Sequence, residues 1–594
     1  MMPQVQKDFM AELTQTLSKS DARAGLAELA LARAHSRKAL VAAVLFSIFV
    51  NLLMLTSPIY MLQVYDRVLV SRSEETLLAL SLLATFLFLI MGLLDHARAR
   101  VMARIGARLQ SRLDARVLSA AFRRLSIAPQ DTAALAAQRD LDALARFWAS
   151  PVLLALFDAP WTPIFAAAIF VFHPWLGWLA IAGGAFVILI SWINQRSTEA
   201  PLNAASLSGL TSDRQAENLK SESELIQALG MTGAAFQRWQ VTRSLALDQG
   251  LTASDTAGRW TVLTKTFRLF LQSAMLGLSA WLVLRGELSA GAMIASTILL
   301  GRALQPIEQA VGQWPVVTRA AQARARLADL LTLTPQPAPR TILPRPKALL
   351  EVQGLSVVPP GSASPVLRGV SFTVQPGQAL GVIGTSGSGK SSLARSLIGV
   401  WRPAAGRIRL DGATLDQYDP DALGSYTGYL PQRVTLFDGT IADNIARLQT
   451  GADPARIIAA AKAAAAHDLI LQLPDGYDTP ISTMGSRLSG GQIQRIGLAR
   501  ALYGDPVILI LDEPNSNLDN DGSLALNEAI RAAKAAGCAV LIMAHRPAAI
   551  QECELLMVMK DGAVSAFGPR DAILRDMVKN AGDITRAVTP GGVT

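Results

Sequence analysis

Long apolar runs fill the first half of this chain, and only short ones follow in the second half. The first run begins at Ala39 and reads ALVAAVLFSIFVNLLMLTSPIYMLQVY, and the second extends from Thr76 to Leu94. An α-helix rises about 1.5 Å per residue, so about 20 apolar residues cross the hydrocarbon core of a membrane. Each run therefore predicts a membrane-spanning helix.

Four more apolar runs precede residue 310. Two lie within 151–192 and are separated by the turn signal His173-Pro174. A fifth lies within 260–284, and a weaker sixth lies around 293–304. The pattern predicts an all-α transmembrane domain of about six spans over residues 39–331.

Positive charges indicate how these spans are oriented. Basic residues precede the first span at Arg33, Arg37 and Lys38, and others follow the second span at Arg98, Arg100, Arg104, Arg108, Arg112 and Arg116. Because Lys and Arg are retained on the cytoplasmic side, both ends are predicted to face the cytoplasm. Residues 1–38 then form a cytoplasmic N-terminal segment, and the long segments 97–148 and 195–258 are also cytoplasmic. The connections after spans one, three and five are short and external.

The arginines from Arg100 to Arg116 recur every four residues, which places them along one stripe of a helix that continues beyond the membrane. The expected role of this stripe is a solvated face, and a surface that binds the transported substrate is the alternative. Three further charges lie inside predicted spans: Asp158 in span three, and Lys265 with Arg268 in span five. We expect Asp158 to pair with one of these two cations, and the alternative is a polar cavity lining.

Residues 332–347 read TLTPQPAPRTILPRPK, a Pro-rich linker in which helix and strand are disfavoured. Beyond it, short Val/Leu/Ile runs alternate with Ala-rich helical stretches, which predicts an α/β domain over 348–570 followed by a C-terminal tail over 571–594.

Composition narrows the class of protein. Of 594 residues, 51% are hydrophobic and 17% are charged, which is too apolar for a purely soluble chain. The net charge of +9 reflects cations that flank the apolar runs, so nucleic acid is not an expected partner but a lipid bilayer is. The two cysteines, Cys538 and Cys553, have no closely spaced Cys or His neighbours, which argues against a structural metal site.

The sequence GVIGTSGSGKSSLARSLIG is a strand, a glycine-rich loop and a helix, with the full spacing of a P-loop. Its phosphate-binding residues are predicted to be Gly384, Thr385, Ser386, Gly387, Ser388, Gly389, Lys390, Ser391 and Ser392. Backbone N–H groups would surround the phosphates of ATP, Lys390 would reach the β- and γ-phosphates, and the hydroxyl of Ser391 would bind Mg²⁺.

The apolar strand VILILDEP ends in two adjacent carboxylates. Alternation along a strand would point their side chains in different directions, so they are expected to have different roles. Asp512 is assigned to Mg²⁺, through a bound water molecule. Glu513 is assigned as the general base for the attacking water.

A second phosphate-binding pattern, LSGGQ, opens a helical stretch at residues 488–492. Together with Gln432 in GYLPQ, Asp519 in NSNLD and His545 in MAHRP, these motifs resemble the ATPase domain of ABC transporters over residues 350–570. In that family two ATPase domains pair head to tail. Because the chain carries one set of motifs, the resemblance implies a homodimer.

The resemblance also implies roles for individual residues. The signature residues Ser489, Gly490, Gly491 and Gln492 of one copy would contact the γ-phosphate bound by the other copy. Gln432 would bind Mg²⁺ and take part in catalysis, Asp519 would lie across the dimer seam, and His545 would contact the γ-phosphate. Where many such domains place an adenine-stacking tyrosine, this chain reads VVPPG around Pro359.

A closer likeness covers nearly the whole chain. The segments SPIYMLQVYDRVL, LFDAPWTPIF, GAMIASTILLGRALQPIEQAVGQW and LDEPNSNLD look like those of type I secretion exporters of the protease and lipase group. This likeness implies ATP-driven export of an unfolded polypeptide with a C-terminal signal across the bacterial inner membrane, with a periplasmic membrane-fusion adaptor and an outer-membrane TolC-like channel. The alternatives are a homodimeric exporter of lipids, peptides or drugs, and an ATP-gated channel.

Overall fold

The structure is a computed structural model that describes residues 24–336, 340, 343–362, 364–482, 488–516, 518, 520–544 and 550–577. The described residues form two compact units. One consists of residues 24–125 and 129–335, and the other of residues 126–128 and the part from 336 onward. The first unit is helical and the second is a mixture of helices and strands.

Among the described residues, the helical unit contains thirteen α-helices. They are α1 (Ala24–Ala34), α2 (Arg37–Leu53), α3 (Thr56–Gln63), α4 (Leu69–Ser71), α5 (Glu74–Ile127), α6 (Thr132–Trp148), α7 (Pro151–Asp158), α8 (Thr162–Phe172), α9 (Pro174–Ser221), α10 (Ser223–Ala228), α11 (Thr232–Leu284), α12 (Ala290–Gly312) and α13 (Trp314–Leu333). A π-helical turn over Val64–Val68 joins α3 to α4.

Six helical stretches in the described part of the chain are long and apolar enough to cross a membrane, which confirms the six predicted spans. They are Arg37–Ser71, Glu74–Ile127, Pro151–Phe172, Pro174–Ser221, Thr232–Leu284 and Ala290–Ala310. The second span is a helix of 54 residues, about 80 Å long, whereas the hydrocarbon core is about 30 Å thick. Helices α5, α9 and α11 therefore extend well beyond the bilayer.

Two apolar clusters hold the helical unit together. Among the spans, Phe165, Ile169 and Met275 are buried between α8, α9, α11 and α12. In the extension of α5, Leu113 and Val117 pack against α1, α6 and α13. Burial of apolar side chains is the main favourable term outside the bilayer, so α1 and α6 stabilise the extension.

The predicted pairing of Asp158 with Lys265 or Arg268 is wrong. Asp158 instead accepts two hydrogen bonds from Arg98, with N–O distances of 2.7 and 3.2 Å. A third comes from Asn51 at 2.6 Å. Arg268 pairs with Glu308 at 2.6 Å. Location inside the spans did not identify the partner, because the face of each helix on which a side chain lies also decides which side chains meet.

The arginine stripe of α5 divides into two parts. Arg104, Arg108 and Arg112 are exposed along an open cleft of about 480 Å³, as expected for a solvated face. Arg116 is buried, and it binds the Glu28 carboxylate at 2.7 Å and the Thr334 carbonyl at 2.8 Å. The last arginine therefore ties α1 and the end of α13 to α5 instead of facing solvent.

The second unit contains twelve strands and eight helices among its described residues. The strands are β1 (Leu350–Val357), β2 (Leu367–Val374), β3 (Ala379–Gly384), β4 (Ala405–Leu410), β5 (Ala413–Thr414), β6 (Thr427–Leu430), β7 (Gly439–Thr440), β8 (Pro480–Ile481), β9 (Ile508–Asp512), β10 (Ala539–Ala544), β11 (Leu555–Lys560) and β12 (Ala563–Pro569). The helices are α14 (Lys390–Leu397), α15 (Pro420–Tyr426), α16 (Ile441–Ile445), α17 (Pro454–Ala463), α18 (His467–Leu471), α19 (Gly490–Leu502), α20 (Asn520–Ala535) and α21 (Arg570–Met577).

The strands of this unit form two larger sheets and one short pair. An antiparallel sheet has the order β2-β1-β4-β5, a six-stranded sheet has the order β12-β11-β3-β10-β9-β6, and β7 pairs with β8. In the six-stranded sheet, all neighbours from β11 to β6 are parallel, and β12 is an antiparallel edge strand. The predicted α/β domain is therefore confirmed.

The two cysteines, Cys538 and Cys553, are buried in this unit and form no disulfide with each other. Burial raises the pKa of each thiol to about 12.

The buried pair of Arg98 and Asp158 can be tested by a double-mutant cycle. Arg98→Ala alone leaves the buried Asp158 carboxylate without its cation, so it should destabilise the protein by about 3 kcal/mol. Asp158→Ala alone should cost less, because Arg98 keeps its pair with Asp95 at 2.6 Å. The double replacement should cost clearly less than the sum. The measurement is the apparent melting temperature of the purified protein in lipid nanodiscs. Additive effects would contradict the pairing, and Glu217→Ala, in an exposed pair with Lys220, is the control that should change nothing.

Candidate nucleotide site

The P-loop joins β3 to α14 and depends on glycine at several points. Gly387 and Gly389 have φ angles of 80° and 100°, a region that side chains disfavour. A Cβ atom on Gly384 would lie 2.4 Å from the carbonyl oxygen of Met559, and one on Gly389 would lie 2.7 Å from Leu367. The glycines of the motif are therefore required by this backbone as well as by the close approach of a phosphate.

Lys390 lies at the start of α14 and folds back over the loop. Its ammonium group donates hydrogen bonds to the carbonyls of Gly384 and Thr385, at 2.8 and 3.0 Å. Burial lowers the pKa of Lys390, although the negative charges of Glu513 and Asp512 oppose this shift. A cation held at the mouth of a glycine loop is the arrangement that binds the phosphates of a nucleotide.

Two of the three predicted magnesium ligands, Ser391 and Asp512, lie together. Asp512 is the last residue of β9 and is only 3% exposed. Burial raises the pKa of Asp512, and a hydrogen bond with Ser391 opposes that shift. A carboxylate and a hydroxyl beside a phosphate loop are oxygen ligands of the type that Mg²⁺ prefers, so these residues fit the ion.

Glu513 does not continue the strand, which corrects the alternation argument made from the sequence. It lies just beyond β9 with φ of 50°, in the left-handed region that few non-glycine residues adopt. Its N–H donates to the Met543 carbonyl at 2.9 Å. The side-chain amide of Gln432 donates to its carboxylate at 3.0 Å. The turn, and not strand alternation, separates the direction of Glu513 from that of Asp512.

Gln432 and Glu513 border a pocket of about 370 Å³ in which three functional segments meet. Its lining residues are Gln432, Arg433, Val434, Gly490, Ile493, Gln494, Glu513 and Ser516. They come from the loop after β6, from the start of α19 and from the turn after β9. The structure therefore brings together the predicted catalytic residues that it describes. Asp519 and His545 lie outside the described residues.

The signature motif forms the first turn of α19. The hydroxyl of Ser489 accepts from the Gln492 N–H at 3.3 Å, and the Gln492 side chain accepts from the Ser489 N–H at 2.9 Å, which is a capping box. Ser489 and Gly490 are exposed. Helix α19 packs against β6, α16 and α17, whereas α14 packs against β3, β9 and β10. The two phosphate-binding helices thus belong to different parts of the same unit.

Sequence reasoning missed the residues that fix the loop after Gln432. Asn444 is fully buried in α16 and hydrogen-bonds both the N–H and the carbonyl of Phe437, each at 2.8 Å, and the carbonyl of Thr440 at 3.0 Å. Arg500 of α19 donates to the Asn444 side chain and to the Thr435 carbonyl, both at 2.9 Å. No motif spacing marks these residues, because their partners are backbone groups of a loop.

The segment around Pro359 contributes no aromatic ring. Val357 is fully buried at the end of β1, and Val358 and Pro359 are half-buried. An apolar core residue therefore occupies the end of β1, and no ring for stacking on adenine is present in Val357, Val358 or Pro359.

Comparisons with known proteins cover both units. Residues 40–306 match the family model described as ABC transporter transmembrane region, and residues 367–516 match the one described as ABC transporter. The type I secretion system ATP-binding protein PrsD of Rhizobium meliloti (strain 1021) is 43% identical over 553 residues, which are 93% of this chain and 95% of the relative.

More distant relatives have similar names. The cyclolysin secretion/processing ATP-binding protein CyaB of Bordetella pertussis is 28% identical over 538 residues, covering 89% of this chain and 75% of the relative. Among solved structures, a bacterial Atm1-family ABC exporter with ATP bound matches with a TM-score of 0.77 at 22% identity, covering 94% of this chain and 99% of that chain. At this identity, the match shows a shared fold.

Asn444 should be essential for rapid hydrolysis without touching the nucleotide. Asn444→Ala removes the hydrogen bonds that fix the loop after Gln432, so we expect kcat for ATP to fall about tenfold with a smaller change in KM. The matched control is Asn527→Ala, since Asn527 is also buried but makes one long bond of 3.4 Å to Gln551. Equal losses in the two variants would show that the loop does not depend on Asn444.

Proposed function

Because this chain belongs to the ABC transporters of type I secretion systems, we propose that it exports an unfolded polypeptide across the inner membrane of a bacterium. It is a multi-pass membrane protein whose ATPase domain couples ATP hydrolysis to transport. The main support for this proposal is the similarity to PrsD over nearly the whole length of both chains. The structure adds a P-loop, a buried carboxylate and a candidate base at one edge of the sheet.

Each residue of the site has a proposed role. The P-loop N–H groups and Lys390 bind the phosphates of ATP, and Ser391, Asp512 and Gln432 hold Mg²⁺, which supplies charge neutralisation when bound. Glu513 accepts the proton of the attacking water, and the amide of Gln432 orients its carboxylate. Asp519 at the dimer seam and His545 near the γ-phosphate complete the proposed set.

A second copy of the chain is required to complete each site. The chain contributes one P-loop and one signature helix. The start of that helix, at Ser489 and Gly490, is exposed, and the positive end of a helix dipole favours an anion. We therefore infer a homodimer in which Ser489, Gly490, Gly491 and Gln492 of one copy close on the γ-phosphate bound by the other.

The cargo is proposed to be unfolded. Even a folded domain of about 100 residues has a radius of gyration near 13 Å, so a bundle of about twelve helices passes it only as an extended chain. The long helices α5, α9 and α11 extend the helical unit beyond the bilayer, which supports recognition of the cargo on the ATPase side. The path continues through a periplasmic adaptor and an outer-membrane channel of the TolC type, as in other type I systems.

Glu513→Gln should separate nucleotide binding from hydrolysis. The amide retains the size of the side chain but accepts no proton, so turnover should fall at least about 100-fold while ATP binding remains. ATPase assays and nucleotide retention on the purified dimer measure the two properties. Glu528→Gln changes an exposed glutamate of α20 and should leave both intact. Near-normal turnover of Glu513→Gln would remove Glu513 from its proposed role.

The choice of cargo can be tested with a reporter. Cells expressing this chain with its adaptor and outer-membrane channel should secrete a reporter that carries the C-terminal segment of the cognate cargo. The same reporter fused to a fast-folding, very stable domain should block secretion while ATPase activity continues, because the bundle does not pass a folded domain.

A destabilised variant of that same domain is the matched control and should restore secretion. Secretion of the stable domain in its folded state, or equal secretion of reporters without the C-terminal segment, would contradict the proposal. Transport of a lipid or drug in single-membrane vesicles without adaptor or channel would favour the alternative exporter.

A further inference from the structure

The signature helix is bonded directly to the turn that carries Glu513. Gln494 lies in α19, five residues after Ser489, and is only 1% exposed. Its side-chain amide donates to the carbonyl of Pro514 at 3.0 Å. Pro514 follows Glu513 in the chain and is itself buried. A buried amide that lost this partner would leave an unsatisfied polar group, so the bond fixes the two segments relative to each other.

The turn after β9 needs such restraints. Glu513 has the left-handed backbone conformation described above, which costs free energy and persists only where surrounding contacts hold it. The Glu513 N–H is bonded to Met543, and the Glu513 carbonyl accepts from the N–H of Ser516 at 3.2 Å. The Gln494 bond adds a restraint from outside the sheet. A displacement of α19 therefore acts on the backbone of this turn, which sets the orientation of the Glu513 carboxylate.

Helix α19 is suited to transmit such a shift. It is continuous over Gly490–Leu502, and its first turn is closed by the capping box of Ser489 and Gln492. The distance along the axis from Ser489 to Gln494 is about 7.5 Å. A displacement of the exposed first turn should therefore displace Gln494 by a similar amount, because a hydrogen-bonded helix moves as a rigid body over so short a length.

We propose that Gln494 is a positioning residue that links the two ATP sites of the dimer. The first turn of α19 contacts the nucleotide of the partner copy, whereas Gln494 acts on Glu513 of its own chain. Closure of one site therefore aligns the base of the other site. This inference rests on the proposed homodimer, and it assigns a direction to the coupling, from the signature motif to the base of the same chain.

The first test uses the full-length homodimer in lipid nanodiscs. Gln494→Leu retains the approximate size of the side chain but lacks the donor. We expect kcat for ATP to fall about fivefold to tenfold and the Hill coefficient for ATP to approach 1, with nucleotide affinity nearly unchanged. Tyr418→Phe is the matched control, because it removes another buried side-chain bond to a carbonyl, at 2.8 Å to Leu410 in the antiparallel sheet. Its Hill coefficient should match that of the unsubstituted protein, and an unchanged Hill coefficient in Gln494→Leu would overturn the proposal.

The second test uses mixed dimers in which one chain carries Glu513→Gln, so that only one base survives. Gln494→Leu is placed either on the chain with the intact Glu513 or on the chain with Glu513→Gln. Both dimers contain the same two substitutions, so a general folding defect affects them equally. Single-turnover hydrolysis at the surviving site should be about fivefold to tenfold slower when Gln494→Leu shares a chain with the intact base.

Equal rates in the two dimers would overturn the proposal. Slower hydrolysis when Gln494→Leu lies on the Glu513→Gln chain would also overturn it, because Gln494 would then act by presenting the signature motif to the partner's nucleotide. Turnover retained by the homodimer carrying Glu513→Gln on both chains would separately remove Glu513 from its proposed role, and the reporter assay tests the proposed export function independently.

Discussion

Parallel pairing of four strands determines where the chemistry of this protein lies. In the six-stranded sheet, β3, β10, β9 and β6 are neighbours and run in the same direction. Their carboxyl ends therefore meet at one edge, where β3 leads into the P-loop, β9 ends at Asp512 and β6 leads to Gln432. The sheet thus brings together the P-loop and the end of β9, which are far apart in the sequence. The buried apolar side chains of the strands hold these segments in place.

The same edge supports the proposal that two copies of the chain share each ATP site. Helix α14 lies against the sheet and carries Lys390, whereas the signature helix α19 packs on β6 and on the helices α16 and α17. Within the chain, α19 reaches the sheet edge through Gln494 and Pro514, and its exposed first turn remains available to another molecule. The fold thus separates the two roles that we propose for the signature helix, contact with a partner's phosphate and support of its own base.

The sequence was sufficient for the features that depend on local pattern. Apolar runs of about 20 residues predicted the spans, and glycine spacing predicted the P-loop, because both signals are contained in one contiguous segment. The partner of Asp158 was not predictable in this way, since helix rotation selected Arg98 over Lys265 and Arg268. The geometry of Glu513 was also missed, because a left-handed residue ends the strand where alternation was expected to continue. Asn444 and Gln494 hydrogen-bond backbone groups of nearby loops and turns, and backbone partners leave no residue pattern that would reveal such contacts.

Trans complementation tests whether two copies of the chain share each ATP site. A mixed dimer with Lys390→Ala on one chain and Ser489→Arg on the other places both lesions in one composite site and leaves the second site intact. This dimer should retain measurable single-turnover hydrolysis, whereas a dimer with Lys390→Ala on both chains, or with Ser489→Arg on both, should have none. Equal inactivity of all three dimers would contradict the shared site.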